Sequence, residues 1–134
     1  MCSPIISKGT WDNRDFELAK LFNVKGKVAL VAGGGSGMGL IATQALAVNG
    51  AKVYIGGRIE EKLETVARRY GEDIAGEIIL ITADIFKKED IRRLVSDISS
   101  REKCLCIVIN NSGHCLEHPT DGSHNGEGNA EELV

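Results

Sequence analysis

Gly33, Gly34, Gly35, Gly37 and Gly39 fall within seven consecutive positions, interrupted by Ser36 and Met38 alone. Bare backbone at that density does one kind of chemistry well. Its N–H groups can approach an anion with no side chain in the way. The apolar run 28–32 leads directly into these glycines, and a helical pattern starts near Gly37. A buried strand, a glycine turn and a helix start together imply a site for the pyrophosphate of a dinucleotide. The residues so nominated are Gly33, Ser36, Gly37, Met38 and Gly39.

The spacing narrows the reading. G-x-G-x-x-G fails, because its last position is Met38 counted from Gly33 and Leu40 counted from Gly35. G-x-x-x-G-x-G fits, with Gly33, Gly37 and Gly39. No Gly-Lys-Ser/Thr is present, which excludes the Walker phosphate loop. A second signal lies after the second apolar run, at Ile55-Gly56-Gly57-Arg58. A carboxylate there would bond a ribose 2′-hydroxyl and repel a 2′-phosphate. The segment has no carboxylate, and the planar fork of Arg58 suits a phosphate. NADP(H) is therefore favoured over NAD(H). The plainer alternative for Arg58 is a solvated residue at a helix start. Lys52 and Lys62 leave this balance unchanged.

The elements that must position these residues alternate. Strands are expected over residues 28–32, 52–56, 77–83 and 105–110, and helices over 37–49, 60–70 and 88–100. The helix faces are expected to carry Leu40, Ile41, Ala45 and Val48; then Leu63, Val66, Ala67 and Tyr70; then Ile91, Leu94, Val95 and Ile98. Strand and helix in alternation with short connections predict βαβ units and a parallel sheet. The fold class is α/β, a Rossmann-type doubly wound parallel sheet. The domain covers residues 25–113, between an amino-terminal extension, 1–24, and a polar, glycine-rich tail, 114–134. In the extension, Phe16, Leu18, Leu21 and Phe22 suit a short helix or a segment lying against the domain.

The chain resembles the short-chain dehydrogenase/reductase family over about residues 21–113. The family's T-G-x-x-x-G-x-G appears from Ala32 to Gly39, with Ala32 where a threonine is usual. Its N-N-A-G appears as Asn110-Asn111-Ser112-Gly113. The resemblance implies four strands in the order 3-2-1-4, with the fourth an open edge where a fifth normally pairs. It implies that Asp84 contacts the adenine and that Ile85 can offer a backbone N–H. A turn or N-cap aspartate ahead of the third helix is the alternative for Asp84, and the two roles are compatible. Asn110 is expected to tie the end of the fourth strand to neighbouring backbone, near the cofactor. The family activity is hydride transfer between nicotinamide and a carbonyl or alcohol, with a Tyr-x-x-x-Lys handling the proton. Here Tyr54 and Tyr70 are followed at the fourth position by Arg58 and Ile74, so no catalytic residue is nominated. The expectation is the NADP(H)-binding portion of such an oxidoreductase; the alternative is a catalytically inactive dinucleotide-binding fragment or regulatory module. The family's oligomer interface uses helices past position 134 and is expected to be absent.

Composition fits that reading. The 134 residues carry 16 Lys and Arg against 19 Asp and Glu, a net charge of −3, which gives no reason to expect nucleic acid as a partner. No apolar run is long enough for a bilayer, and the first residues lack the order of a secretory signal, so a cytoplasmic location is expected. Cys2, Cys104, Cys106 and Cys115 contain no C-x-x-C. Cys104 and Cys106 are expected on one face of the fourth strand as small buried hydrophobes. His114, His118 and His124 gather beside Cys115 in the tail, but their spacing matches no zinc pattern, and no metal site is expected.

Overall fold

The computed structural model describes residues 12–113. After a single 3-10 turn, Asn13–Phe16, the order is α1 (Leu18–Leu21), β1 (Val28–Ala32), α2 (Gly37–Val48), β2 (Lys52–Gly57), α3 (Glu60–Tyr70), β3 (Glu77–Thr82), α4 (Lys88–Arg101) and β4 (Ile107–Asn110). The four strands form one sheet in the order β3-β2-β1-β4, and every pair is parallel. The α/β class is as the alternating pattern predicts, and the 3-2-1-4 order is as the family resemblance implies.

β1 is the centre of this arrangement. All five of its residues are buried, because helices cover both faces and strands flank both edges. Ala29 and Val31 point to one face, where they meet Val53 and Ile55 of β2, Ala47 of α2, and Leu63 and Val66 of α3. Val28 and Leu30 point to the other, with Tyr54 of β2, Ile81 of β3, and Leu94 and Ile98 of α4. The alternation of strand side chains thus assigns α2 and α3 to one side and α4 to the other, which makes the sheet doubly wound.

α2 packs differently from expectation. Its buried residues are Gly39, Thr43 and Ala47, four apart, while Ile41 and Val48 are 66% and 57% exposed. The sequence also offers small residues, Ala42, Ala45 and Ala47, to bring this helix close to the sheet; of these Ala47 is buried, with Gly39 and Thr43 beside it in place of the large apolar residues. Ile91 and Val95 of α4 are likewise exposed, and Leu94 and Ile98 alone of the expected four are buried. Phe16 falls in the 3-10 turn and Leu18 and Leu21 in α1, with Phe22 as its C-cap, but all four are more than half exposed. β4 starts at Ile107, two residues later than expected, so Cys104 and Cys106 precede the strand. Both are half-buried, with their sulfurs 3.7 Å apart.

At the amino ends of the strands, a polar cluster ties α4 to β2. The Tyr54 hydroxyl donates to Glu102 Oε1 at 2.7 Å, and Lys52 Nζ donates to the same oxygen at 2.9 Å. Tyr54 is 1% exposed, so its hydroxyl needs that partner. The tail with its histidines, Cys115 and residues 1–11 lie outside the described residues.

Candidate functional site

The site forms where the parallel strands end. Four backbone bonds hold those ends in place: Gly33 N–H to Gly56 O at 2.8 Å, Asn111 N–H to Ala32 O at 3.1 Å, Ala83 N–H to Gly57 O at 2.9 Å, and Lys87 N–H to Asp84 O at 2.9 Å. They surround a cavity of about 260 Å³. Its wall comes from three loops: Gly33, Gly35 and Ser36 after β1; Gly56 to Ile59 at the end of β2; and Ala83 to Phe86 after β3. Lys62 and Leu63 of α3 and the Asn111–Gly113 segment complete it.

Each glycine of the turn has a separable reason. Gly33 sits at φ +76° with Asn111 and Ser112 against it: a Cβ would stand 3.2 Å from Asn111 O and Ser112 N. Gly34 leaves room for Ile55 and Thr43. Gly39 is buried, and a Cβ there would run into the carbonyl oxygen of Gly33. These three set the turn against the sheet and against α2. Gly37 is unlike them. It has φ +55°, and beyond its chain neighbours and its own helix backbone nothing lies within 4 Å of where its Cβ would be. It keeps open space in front of the helix start.

That start is also chemically open. Ser36 holds the N-cap position in an extended conformation, but its side chain makes no capping hydrogen bond. The bond Leu40 N–H to Ser36 O, at 3.2 Å, begins the helical ladder. The N–H groups of Gly37, Met38 and Gly39 are thereby left over by helix geometry, at the positive end of the helix dipole. Thr43 Oγ1 donates back to Gly39 O at 2.9 Å and steadies this first turn.

Of the residues nominated from the sequence, Gly33, Ser36, Arg58, Asp84 and Ile85 line the cavity together. Gly37 and Met38 are exposed on the α2 start beside it. Gly39 is buried under the turn. Asn110 ends β4 opposite Ala32 and is exposed; its neighbours Asn111 and Ser112 line the cavity. Asp84 makes the turn expected of it: its Oδ1 accepts Phe86 N–H at 3.1 Å, while its own N–H donates to Asp90 Oδ2 at 2.9 Å. The N-cap of α4 is Lys87, so of the two local roles Asp84 takes the turn.

The cavity also holds residues that sequence reasoning passed over. Asn111 belongs to the Asn-Asn-Ser-Gly already singled out. Lys62, set aside above in the choice of cofactor, lies in the first turn of α3, four positions after Arg58, which precedes that helix. Phe86, 68% exposed at the cavity, carried no sequence signal. Neither Tyr54 nor Tyr70 lines the cavity. Among the described residues no cluster of His, Cys, Asp and Glu could hold a metal ion, and no helix is long and apolar enough to cross a membrane.

Known proteins resemble both the sequence and this geometry. A family model described as short chain dehydrogenase matches residues 27–132. The short-chain dehydrogenase/reductase VdtF of Byssochlamys spectabilis is 33% identical over 113 residues, 84% of this chain and 35% of the relative. The short-chain dehydrogenase/reductase PhomF of Diaporthe leptostromiformis is 41% identical over 95 residues, 71% of this chain and 32% of the relative. Among solved structures, the Pseudomonas aeruginosa RhlG/NADP active-site complex superposes with a TM-score of 0.64 at 33% identity, covering 69% of this chain and 37% of the other. The L-sorbose reductase of Gluconobacter frateurii, complexed with NADPH and L-sorbose, gives 0.65 at 27% identity, covering 69% and 35%. The chain spans about a third of the length of the curated relatives it matches.

Proposed function

The chain belongs to the short-chain dehydrogenase family, and we propose that residues 25–113 are the portion of an oxidoreductase that holds NADP(H). The observation that carries this reading is the start of α2. Left-over N–H groups, an uncapped Ser36 and the open space at Gly37 make a cradle for the pyrophosphate, directly beside the cavity. Gly33 and Gly39 contribute by keeping the turn tight. From the cradle the adenine-ribose half runs between the β2 and β3 ends, with Arg58 at the 2′-phosphate and Asp84 and Ile85 along the adenine. The cavity of about 260 Å³ suits one half of a dinucleotide, since pockets for drug-sized ligands run from roughly 300 to 1,000 Å³. Asn110 and the Asn111–Gly113 segment then bound the side toward the nicotinamide.

A bound nicotinamide would supply or accept hydride, and the family activity is transfer to or from a carbonyl or alcohol. These 134 residues contain no Tyr-x-x-x-Lys, and the buried Tyr54 serves α4 at the far end of the sheet. Our reading for this chain is therefore binding, with proton transfer outside its residues. Two relatives of known structure were solved with NADP or NADPH, which supports the choice of cofactor. Calorimetric titration of the 134-residue chain tests it. We expect saturable 1:1 binding of NADPH and weaker binding of NADH. Equal affinity for the two would remove Arg58 from the reading, and no binding of either would remove the reading itself.

A further inference from the structure

We propose that Lys62 is a second cation of the 2′-phosphate subsite, acting with Arg58; the inference rests on the NADP(H) reading above. The packing of α3 brings Lys62 there. Leu63 is 2% exposed and fills the space left by two glycines: a Cβ on Gly35 would stand 3.1 Å from Leu63 Cδ2, and one on Gly57 3.3 Å. The missing side chains at both strand ends let the first turn of α3 settle against the glycine turn. Lys62, next to Leu63, then joins Arg58 in the wall of the same cavity.

The charges support a role in binding an anion. The charged residues in the cavity wall are Arg58, Lys62 and Asp84. Asp84 is already engaged by the Phe86 N–H in its own turn. Arg14, Lys52, Arg93 and Arg101 have carboxylate partners, and neither Arg58 nor Lys62 has one among the described residues. A phosphate monoester carries about −1.5 to −2 charges near neutral pH. One guanidinium leaves part of that charge unbalanced, and a flexible ammonium four positions on can reach the remaining oxygens as a point charge.

The test compares adenosine 2′,5′-bisphosphate with adenosine 5′-monophosphate, by calorimetry on the wild-type chain, Lys62→Gln and Lys62→Arg, at low and moderate salt. Lys62→Gln should weaken the bisphosphate roughly tenfold, equivalent to about 1.4 kcal/mol, and leave the monophosphate unchanged. The salt dependence for the bisphosphate should become shallower, and Lys62→Arg should restore most of the affinity. A wild type that prefers the bisphosphate while Lys62→Gln keeps the same preference overturns the inference and leaves the NADP(H) reading standing. A wild type with no preference overturns both.

Discussion

Gly37 and Gly39 stand two positions apart in one motif, yet the space around them differs. A Cβ at Gly39 would meet the Gly33 carbonyl, whereas a Cβ at Gly37 would meet nothing within 4 Å beyond its chain neighbours and its own helix backbone. Gly39→Ala must push α2 off the turn, at a cost of about 1–3 kcal/mol for overpacking, and should lower the thermal midpoint clearly. Gly37→Val adds strain at φ +55° and puts its bulk where the pyrophosphate would lie. We expect it to abolish NADPH binding while the fold survives; unfolding and binding curves on the same samples separate the two. Arg58→Ala should reduce the preference for NADPH over NADH, and an equal loss for both would contradict its role. The motif identified these residues, but it could not say which glycine faces ligand and which faces backbone. That depends on where Asn111 and Gly33 lie in space. Lys62 is legible in the sequence as a cation but not as a cavity residue, for a similar reason: its position depends on Leu63 of α3 settling between Gly35 after β1 and Gly57 at the end of β2.

Among the elements, β1 and α3 have the bounds their sequence periodicity predicts, because each is bounded by turn-forming residues and has a consistent pattern. β4 does not. Leu105 and Cys106 extend the apolar run, but pairing with β1 starts at Ile107 opposite Ala29, and only the sheet register decides that. The Tyr54–Glu102–Lys52 cluster joins residues about fifty positions apart, beyond any local signal. It makes the anchoring of α4 depend on pH. The Tyr54 hydroxyl and then Lys52 hold the Glu102 carboxyl below its ordinary range. Its contribution is present above the unfolded value of about 4.3 and is lost as pH falls through the lower folded value. Burial, then the bond to Glu102, pushes Tyr54 up to about 12. That contribution is complete below the unfolded value of about 10 and is lost as pH rises toward 12. Thermal unfolding across pH should therefore show a fall at both ends. Tyr54→Phe should flatten the alkaline fall and lower stability near neutrality by about 1.5–3 kcal/mol, the worth of a hydrogen bond to a charged group. An unchanged alkaline fall in Tyr54→Phe would place the titrating group elsewhere.

At the scale of the molecule, the four-stranded sheet has two edge strands among the described residues, β3 and β4. β1 has neighbours on both edges; β4 pairs with β1, and its other edge has no partner among the described residues. Val108 on that strand is 62% exposed, and Leu105 just before it is 39% exposed. An apolar open edge favours strand-to-strand association. Val108→Lys should therefore reduce concentration-dependent self-association in sedimentation without lowering the thermal midpoint; the same association in the variant would show that another surface is responsible. The proposed dinucleotide site is the cavity at the carboxyl ends of the strands, and the Tyr54–Glu102 anchor lies at the amino ends. Because the two ends are separate, an amide NMR titration of the chain with NADPH tests directly where the cofactor sits. Saturable shifts are expected at Gly33 through Gly39, Arg58, Lys62 and Asp84, with Lys52, Tyr54 and Glu102 unmoved. Shifts centred on Tyr54 and Glu102, or none at the glycine turn in a folded sample saturated with NADPH, would contradict that placement.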